Sequence, residues 1–289
     1  MADMSTWTSL LFTPGNRPDL AGKAPRFGPD AVILDLEDAV PLAERNQARA
    51  NIPVMTQSLQ AAGIGTCVRV NAGLREQVHD LEAAVCSGLD AVMIPKAESA
   101  AAIKAAAEIL KSLEQEQGLP ATGIRIIALI ETARGVMAAE EIAGASPRLG
   151  ALALGPEDLA LDLGVEPTTE VLTEPLRQLI WAGRAHQRQV FGHVESIGLI
   201  NDIARLERSL ETAARLGADG ALCIHPQQVA RANQAFGISE AALAWAKQIL
   251  KEAHRADGVS LVAGAMVDRP VIERAERILR RCRGTGPSP

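Results

Sequence analysis

Two short apolar runs, each ending in acidic residues, constrain the fold of this chain more than any other feature of its sequence. The first run spans residues 124–130 and leads into Glu131, and the second spans 149–154 and leads into a turn that carries Asp158. Runs of this length, bounded by turn residues and followed by helical patterns, are typical of buried parallel strands that lead into helices. Because ligands of α/β folds bind beyond the carboxyl ends of such strands, both acids are candidates for a binding site.

Carboxylates at two neighbouring strand ends make a hard oxygen site. Neither Glu131 nor Asp158 has a cysteine or histidine beside it in the sequence. This favours Mg²⁺, which keeps several waters that a substrate can displace. The alternative is that these acids, together with Glu157, cap the helices that follow and interact with the helix dipoles. The occurrence of both acids at the ends of apolar strands favours the metal.

An apolar run followed by a helix recurs along the chain and predicts a (β/α)₈ TIM barrel. The six further predicted strands begin at Ser9, Ala31, Thr66, Ala91, Gln189 and Gly220. A loop rich in Thr, Glu and Pro is predicted over residues 166–175. No glycine-rich phosphate-binding motif follows any strand, which argues against a dinucleotide-binding fold.

The length of the chain exceeds what the barrel requires. We expect a barrel domain over residues 1–238 and a C-terminal helical extension over 239–289, with a disordered tail from about residue 284. At 289 residues and 47% hydrophobic composition, the chain can bury a large core.

A second acidic cluster follows the predicted strand that begins at Ala31. It consists of Asp35, Glu37 and Asp38, which are costly to hold together unless a cation or water separates them. Arg69 lies within the next apolar run, where a guanidinium is rarely unpaired. Its planar fork suits a carboxylate bound through two oxygens. That carboxylate belongs either to a substrate or to a structural partner, Asp35 or Glu37.

Two other strand ends carry residues with an alternative interpretation. Lys96 is either a Schiff-base lysine of an aldolase or a hydrogen-bonding residue near Glu131 or Asp35. The acidic pair makes an amine electrophile redundant, so we expect the second. His225 is either a ligand or acid, or a histidine with satisfied hydrogen bonds at a strand end, which we expect here.

Composition excludes several classes of protein. The net charge is −6 and the basic residues are scattered, so nucleic acid is not an expected partner. No apolar run approaches the length of a membrane span, and no secretory signal is apparent. The four cysteines are widely spaced and form no Cys-x-x-Cys pair, which argues against zinc and disulfides and fits a reducing cytoplasm.

Eight short motifs are spread over nearly the whole chain. They are Leu11–Arg17, Asp35–Asp38, Val68–Asn71, Ile94–Lys96, Ile130–Gly135, Gly155–Asp158, Cys223–Pro226 and Met266–Asp268. In this order they resemble the citrate lyase β-subunit-like branch of the HpcH/HpaI aldolase superfamily. The resemblance implies a trimeric TIM barrel that binds Mg²⁺ and cleaves or forms a C–C bond in an acyl thioester such as citryl-, malyl- or citramalyl-CoA. The other product is a 2-oxo acid such as oxaloacetate or glyoxylate.

The resemblance also implies roles for residues at the barrel mouth. Glu131 and Asp158 are the implied metal ligands, and Arg69 is implied to bind the carboxylate of the oxo acid. The other implied substrate-binding residues are Gly155, Pro156, Glu157, Thr13, Pro14, Arg17 and Lys23. In this interpretation the Thr13–Arg17 loop, with Lys23 nearby, meets the CoA phosphates.

Three further acids are implied to act on protons. Glu37 and Asp38 resemble residues that hold metal-bound water and serve as a base. Asp268 resembles an acid that reaches a neighbouring subunit's site and handles the proton on the thioester α-carbon, so the extension is implied to complete that site. His193 departs from the family, which usually has an Asp-Gly pair nearby, and this leaves the role of the seventh loop open.

Three other functions remain open at the level of sequence. Citrate lyase β subunits act within a complex on an acyl carrier protein, so this chain is alternatively a subunit that docks such a carrier. A malate synthase-type or thioesterase-type relative uses the same barrel. A non-catalytic protein that binds Mg²⁺ and an oxo acid is a further possibility, against which the full set of acids and Asp268 argue.

Overall fold

The computed structural model describes residues 4–253, 260–262 and 265–284. The chain divides into two compact units, Met1–Phe236 and Gly237–Pro289. The first unit contains the main sheet, and the second contains the helices and the two short strands of the C-terminal segment.

Eight parallel strands form the main sheet and confirm the predicted (β/α)₈ barrel. They are β1 Ser9–Pro14, β2 Ala31–Asp35, β3 Gly65–Arg69, β4 Ala91–Ile94, β5 Arg125–Ile130, β6 Leu149–Leu154, β7 Gln189–Phe191 and β8 Ala221–Cys223. Consecutive strands lie side by side, and β1 pairs with both β2 and β8. A parallel bridge between Phe191 and Gly220 joins the two ends of the sheet, so the ring is closed.

The interior of the barrel is filled by side chains from alternate strand positions, as the two-residue period of a strand requires. On β2 and β3, Ala31, Ile33 and Cys67 belong to this interior cluster. The next residues in the same alternation are Asp35 and Arg69, which are partners in the β2–β3 register. The apolar interior therefore gives way to charged residues at the carboxyl ends of the strands.

The amino-terminal end of the barrel is apolar. Trp7 and Met4 belong to the interior cluster. A Cβ atom added to Gly65, at the start of β3, would overlap the Trp7 ring, and one added to Gly150 would overlap Met4. These glycines make room for the two large side chains that fill this end.

Helices follow the strands and cover the outside of the ring. They are α1 Pro18–Ala21, α2 Arg45–Ala61, α3 Leu74–Ala84, α4 Ala100–Glu116, α5 Ala133–Met137, α6 Ala139–Ala143, α7 Pro156–Leu163, α8 Thr169–Ala185, α9 Ile203–Leu216 and α10 Pro226–Phe236. Short 3₁₀ helices lie at Met4–Thr6, Ala24–Phe27 and Leu42–Glu44. Each long helix buries a stripe at helical spacing, and in α2 Ile52, Met55 and Leu59 form part of it.

The predicted loop over residues 166–175 is wrong for most of its length. Helix α8 begins at Thr169 and contains Pro175. Leu172, Leu176 and Leu179 are fully buried on one face of this helix. Burial of side chains of this size, at about 1.5–3 kcal/mol each, outweighs the cost of about 3 kcal/mol for a proline inside a helix.

The second unit is built from helices and one pair of short strands. It contains α11 Glu240–Ala253, β9 Ser260–Val262, β10 Ala265–Val267 and α12 Arg269–Gly284, and the two strands pair antiparallel. Ala246, Ile249 and Ala275 form a small buried cluster between α11 and α12. The residues beyond 284, for which a disordered tail is predicted, lie outside the described part of the chain. Within the described residues, no helix combines the length and apolarity that a membrane span requires.

Candidate active site

Arg69 and Asp35 form the centre of the charged network at the carboxyl ends of β2 and β3. The Arg69 Nε donates to Asp35 Oδ1 and its Nη2 donates to Asp35 Oδ2, both at 2.7 Å. Asp35 also accepts the backbone N–H groups of Glu37 and Ala39, each at 3.0 Å. The carboxylate therefore holds the guanidinium in one orientation and shapes the loop that carries the other acids.

The remaining Arg69 nitrogen contacts two more acids. Arg69 Nη1 lies 3.1 Å from Glu37 Oε2 and 3.0 Å from Asp38 Oδ2. The guanidinium carbon lies 4.9 Å from the centre of the Phe12 ring. The structural salt bridge from Arg69 to Asp35 or Glu37, which the sequence left open, is therefore present with both acids. Asp38 is the one partner that is well exposed, with 68% of its side chain accessible.

Glu131 is buried directly beyond β5, with 2% of the residue exposed. Its Oε1 accepts the backbone N–H of Lys96 at 2.8 Å, and Lys96 has a left-handed backbone with φ of 47°. Helix α5 is capped by Thr132, whose hydroxyl accepts the Gly135 N–H at 3.1 Å. The capping interpretation of Glu131 is therefore wrong, and its carboxylate is held toward the mouth of the barrel.

Burial and neighbouring charges alter the acidity of two carboxyl groups. Burial raises the pKa of Glu131 to about 8, and the charges of Asp158 and Glu37 add to this effect. Burial likewise raises the pKa of Glu37 to about 7, against the opposing charge of Arg69. Perturbed carboxyl groups of this kind concentrate at functional sites because they hold and release protons near neutral pH.

A cavity of 360 Å³ occupies the barrel mouth and brings most of the predicted site residues together. The predicted residues that line it are Thr13, Pro14, Asp38, Arg69, Glu131, Gly155, Pro156, Glu157 and Asp158. Glu37, which contacts Arg69, does not line the cavity, and neither do Arg17 and Lys23. Arg17 instead makes a two-point ion pair with Asp19, and the Lys23 Nζ lies 3.6 Å from the same carboxylate. Asp268 belongs to the second unit, where its carboxylate accepts the Val271 N–H at 3.3 Å and caps α12.

Gly155 permits the approach of β6 to Glu131. A Cβ atom at this position would lie 2.7 Å from Glu131 Oε2 and 2.8 Å from its Cβ. Such distances are shorter than any van der Waals contact allows, so a side chain here forces the carboxylate to move. Pro156 then begins α7, whose first turn carries Glu157 and Asp158.

One wall of the cavity is apolar and is held by Gln228. Ile197, Leu222 and Ile224 line this wall, and Ile197 lies in the loop between β7 and α9. The Gln228 side chain, which is buried, donates to the Ile197 carbonyl at 2.8 Å and accepts the Ile224 N–H at 2.7 Å. The sequence gives no signal for this role, since nothing in the helical pattern distinguishes Gln228 from a surface glutamine.

The two histidines that the sequence singled out have local partners. His225 Nδ1 accepts the Gln227 N–H at 3.3 Å. His193 is buried, its Nδ1 lies 3.3 Å from the Ser209 hydroxyl oxygen, and burial lowers its pKa to about 4. His193 is therefore uncharged at neutral pH.

The chemistry of the donor set fits magnesium. Among the described residues, no group of three His, Cys, Asp or Glu side chains is arranged to hold a metal by itself. Glu131 and Asp158 line the same cavity and their charges interact. Two carboxylates leave most positions of an octahedral ion to water and substrate, which is the mode of binding that Mg²⁺ favours.

Comparison with known proteins gives consistent matches over the chain. Residues 8–226 match the family model HpcH/HpaI aldolase/citrate lyase. The chain is 32% identical to the citrate lyase subunit beta of Leuconostoc mesenteroides subsp. cremoris, over 94% of this chain and 92% of that protein. It is also 32% identical to the L-malyl-CoA/beta-methylmalyl-CoA lyase of Cereibacter sphaeroides, over 94% of this chain and 93% of that enzyme.

A solved structure of Mycobacterium tuberculosis protein CitE, in complex with magnesium, acetoacetate and coenzyme A, superposes with a TM-score of 0.75 at 33% identity, covering 96% of this chain and 99% of that one. Other structures of that protein contain magnesium with pyruvate or with oxaloacetate. These neighbours agree with the magnesium expected from the acidic strand ends. The chain therefore belongs to the HpcH/HpaI aldolase/citrate lyase family, a family of carbon–carbon lyases.

Proposed function

We propose that this protein is a Mg²⁺-dependent lyase that cleaves a 3-hydroxyacyl-CoA thioester of the citryl-, malyl- or citramalyl-CoA class and releases a 2-oxo acid. The observation that carries the proposal is that Glu131, Asp158 and Arg69 line one cavity. Relatives named as citrate lyase and malyl-CoA lyase subunits support the type of reaction.

Glu131 and Asp158 are the proposed ligands of the ion. These two carboxylates would hold Mg²⁺, which would supply Lewis-acid stabilisation to the oxygen that becomes the keto group of the oxo acid. The neighbour that holds magnesium and coenzyme A supports the choice of magnesium as the ion.

Arg69 is proposed to orient the carboxylate of the oxo acid. Its Nε and Nη2 are fixed by the buried Asp35, whereas Nη1 contacts the exposed Asp38. Because the Asp38 side chain is mostly exposed, it can turn into solvent when a substrate carboxylate takes its place on Nη1. Orientation of the carboxylate in this way fixes the position of the C–C bond.

Glu37 and Asp268 are proposed to carry out the proton transfers. Asp38 lies near Glu37, since both contact Arg69 Nη1. In cleavage the substrate hydroxyl loses its proton, the C–C bond breaks, and its electrons form the thioester enolate, which then takes up a proton at its α-carbon. Glu37, with a pKa of about 7, suits the acceptance of the hydroxyl proton at neutral pH. Asp268 from the C-terminal extension of a neighbouring copy is the proposed donor to the enolate, and the trimer this requires is part of the proposal.

Thr13 and Pro14 lie where the CoA chain is proposed to enter. They line the cavity at the end of β1. Arg17 and Lys23 follow on an exposed segment, where both face Asp19. Exposed cations with a single exposed partner can exchange it for a phosphate, which supports their proposed role with the CoA phosphates.

The test is an assay of the purified protein with citryl-, malyl- and citramalyl-CoA. It measures the two cleavage products, the shortened acyl-CoA and the oxo acid. We expect cleavage of at least one thioester with Mg²⁺, loss of activity with a chelator, and recovery when Mg²⁺ is restored. Absence of cleavage with all three contradicts the proposed function. Hydrolysis to free CoA without an oxo acid identifies a thioesterase instead.

Action on an acyl carrier protein is the second candidate. It is favoured by the match to the citrate lyase subunit beta, which equals the match to the malyl-CoA lyase in identity. Cleavage of a CoA ester in the absence of any carrier protein supports the first candidate and rejects the second.

A further inference from the structure

The charges around the cavity bear on which oxo acid it accepts. Its charged lining among the described residues consists of Asp35, Asp38, Glu131, Glu157, Asp158 and Arg69. With these groups ionised, a single divalent ion leaves the mouth negative. A substrate that brings a second carboxylate into this mouth meets repulsion unless a second cation faces it.

Arg69 has capacity for one substrate carboxylate. Asp35 occupies its Nε and Nη2, and Glu37 and Asp38 occupy Nη1. Of these partners only Asp38 is exposed enough to be displaced without leaving a buried charge unpaired.

Among the described residues, Arg69 is the only cation that lines the cavity. Lys96 does not line the cavity, although it lies close enough for its charge to act on Glu37. Arg17 and Lys23 are outside the lining and face Asp19.

The uncharged part of the lining is mainly apolar. Ile197, Leu222 and Ile224 form the wall held by Gln228, and Leu129 and Phe12 lie on other strands of the same mouth. Such a wall accepts a hydrogen atom or a methyl group. The side chains of this wall offer a carboxylate no hydrogen-bond donor, and a desolvated charge without a partner is costly.

We propose that the 2-oxo acid of this enzyme is a monocarboxylate with hydrogen or a small apolar substituent, of the glyoxylate or pyruvate type, and not a dicarboxylate such as oxaloacetate. The inference rests on the proposed function and narrows it. The thioester then carries one free carboxylate, as malyl- and citramalyl-CoA do, and citryl-CoA is a poor substrate.

The test compares pyruvate, glyoxylate and freshly prepared oxaloacetate on the full chain with saturating Mg²⁺. Calorimetry measures binding of each oxo acid, and condensation with acetyl-CoA gives kcat/KM. Decarboxylation of oxaloacetate is followed in parallel, so that pyruvate formed from it is not counted. We expect pyruvate or glyoxylate to exceed oxaloacetate by at least about tenfold in both measurements.

A charge-insertion variant tests the assignment of the apolar wall. Ile224 is 41% exposed, so Ile224→Arg is compatible with folding, which circular dichroism checks. We expect this variant to reduce the preference against oxaloacetate by about tenfold. Val54→Arg, at an exposed position of α2, adds the same charge elsewhere and leaves the preference unchanged.

The outcomes separate the inference from the proposed function. Equal or tighter binding of oxaloacetate by the wild-type protein overturns the inference, even if thioester cleavage is observed. Failure of all three acids to condense with acetyl-CoA counts against the proposed function. The calorimetric ranking still decides the inference in that case, because binding requires no thioester.

Discussion

Gly155 shows how one absent side chain supports the site. Its replacement by alanine places a methyl group within 2.8 Å of Glu131, whose carboxylate is then displaced from the cavity. We expect Gly155→Ala to weaken Mg²⁺ binding by at least about tenfold, the lower range for loss of a group that supports a metal ligand. Calorimetry with MgCl₂ measures this. Gly73→Ala is the control, because no atom lies within 4 Å of an added Cβ there, and equal affinities for the two variants contradict the prediction.

The acidity of Glu131 predicts a pH dependence for magnesium binding. Burial raises the pKa of Glu131 to about 8, and only the ionised carboxylate binds the ion. Protons therefore compete increasingly as the pH falls below 8, and the apparent affinity decreases by up to about tenfold per pH unit. Titrations with MgCl₂ between pH 6 and 9 measure the slope. Glu131→Gln is the control, because it removes both the titrating proton and the carboxylate ligand. A wild-type Mg²⁺ affinity that stays constant below pH 8 contradicts the assignment of Glu131 as a ligand.

Asp268 has a structural role that can be separated from its proposed chemical one. Its carboxylate caps α12 through the Val271 N–H. Asparagine caps a helix about as well as aspartate, but it cannot donate a proton as a carboxylic acid does. We expect Asp268→Asn to preserve the thermal midpoint and Mg²⁺ binding while lowering kcat by at least about a hundredfold. An unimpaired kcat removes Asp268 from the proposed mechanism.

At the scale of elements, the loop after β7 is attached to the end of β8 through Gln228. Its amide donates to the Ile197 and Leu199 carbonyls and accepts the Ile224 and His225 N–H groups. Truncation leaves these partly buried backbone groups without their Gln228 partner.

We expect Gln228→Ala to lower the free energy of unfolding by about 1–3 kcal/mol, as for other buried hydrogen-bonding groups. The same change should increase hydrogen exchange in residues 194–200. Urea denaturation and exchange mass spectrometry measure the two effects. Gln227→Ala is a matched control, because Gln227 is an exposed neighbour on the same helix. Unchanged exchange in the loop shows that Gln228 does not hold it.

The sequence predicted this level of structure unevenly. The eight strands follow from apolar runs of strand length bounded by turn residues, and the helices from apolar positions at helical spacing. The start of α8 was missed because residues 166–175 are rich in Thr, Glu and Pro, a composition that favours a loop. The burial of Leu172 and Leu176, which stabilises the helix, is not visible locally. The hydrogen bond from Gln228 to the Ile197 carbonyl, 31 residues away in the chain, likewise forms only in the folded protein.

At the scale of the whole molecule, stability should depend on His193. The folded protein protonates this buried side chain only near pH 4, whereas the unfolded chain protonates it near its ordinary pKa of 6.5. Between these values the unfolded state binds more protons, so folding stability decreases as the pH falls. The difference corresponds to a loss of up to about 3 kcal/mol across this window.

Urea denaturation of the wild type and of His193→Gln, at intervals from pH 7.5 to 4, tests this dependence. The variant is expected to be less stable at pH 7, since it alters a buried contact with Ser209, but to lose less stability on acidification. Parallel curves for the two proteins contradict the prediction.

The sequence by itself determined the barrel, the end of the barrel that carries the chemistry, and most of the residues that line the cavity. The barrel and its acidic strand ends follow from local periodicity, because alternation along a strand fixes the face of each side chain and an acid just past its end lies at the mouth. The other lining residues, such as Thr13 and Gly155, were predicted from the resemblance of short motifs to a known family. Only the tertiary structure decided the partners: Asp35 for Arg69 across 34 residues, and the Lys96 amide for Glu131 across 35. Closure of the ring brings these distant strand ends together, and no local pattern encodes which donor then meets which acceptor.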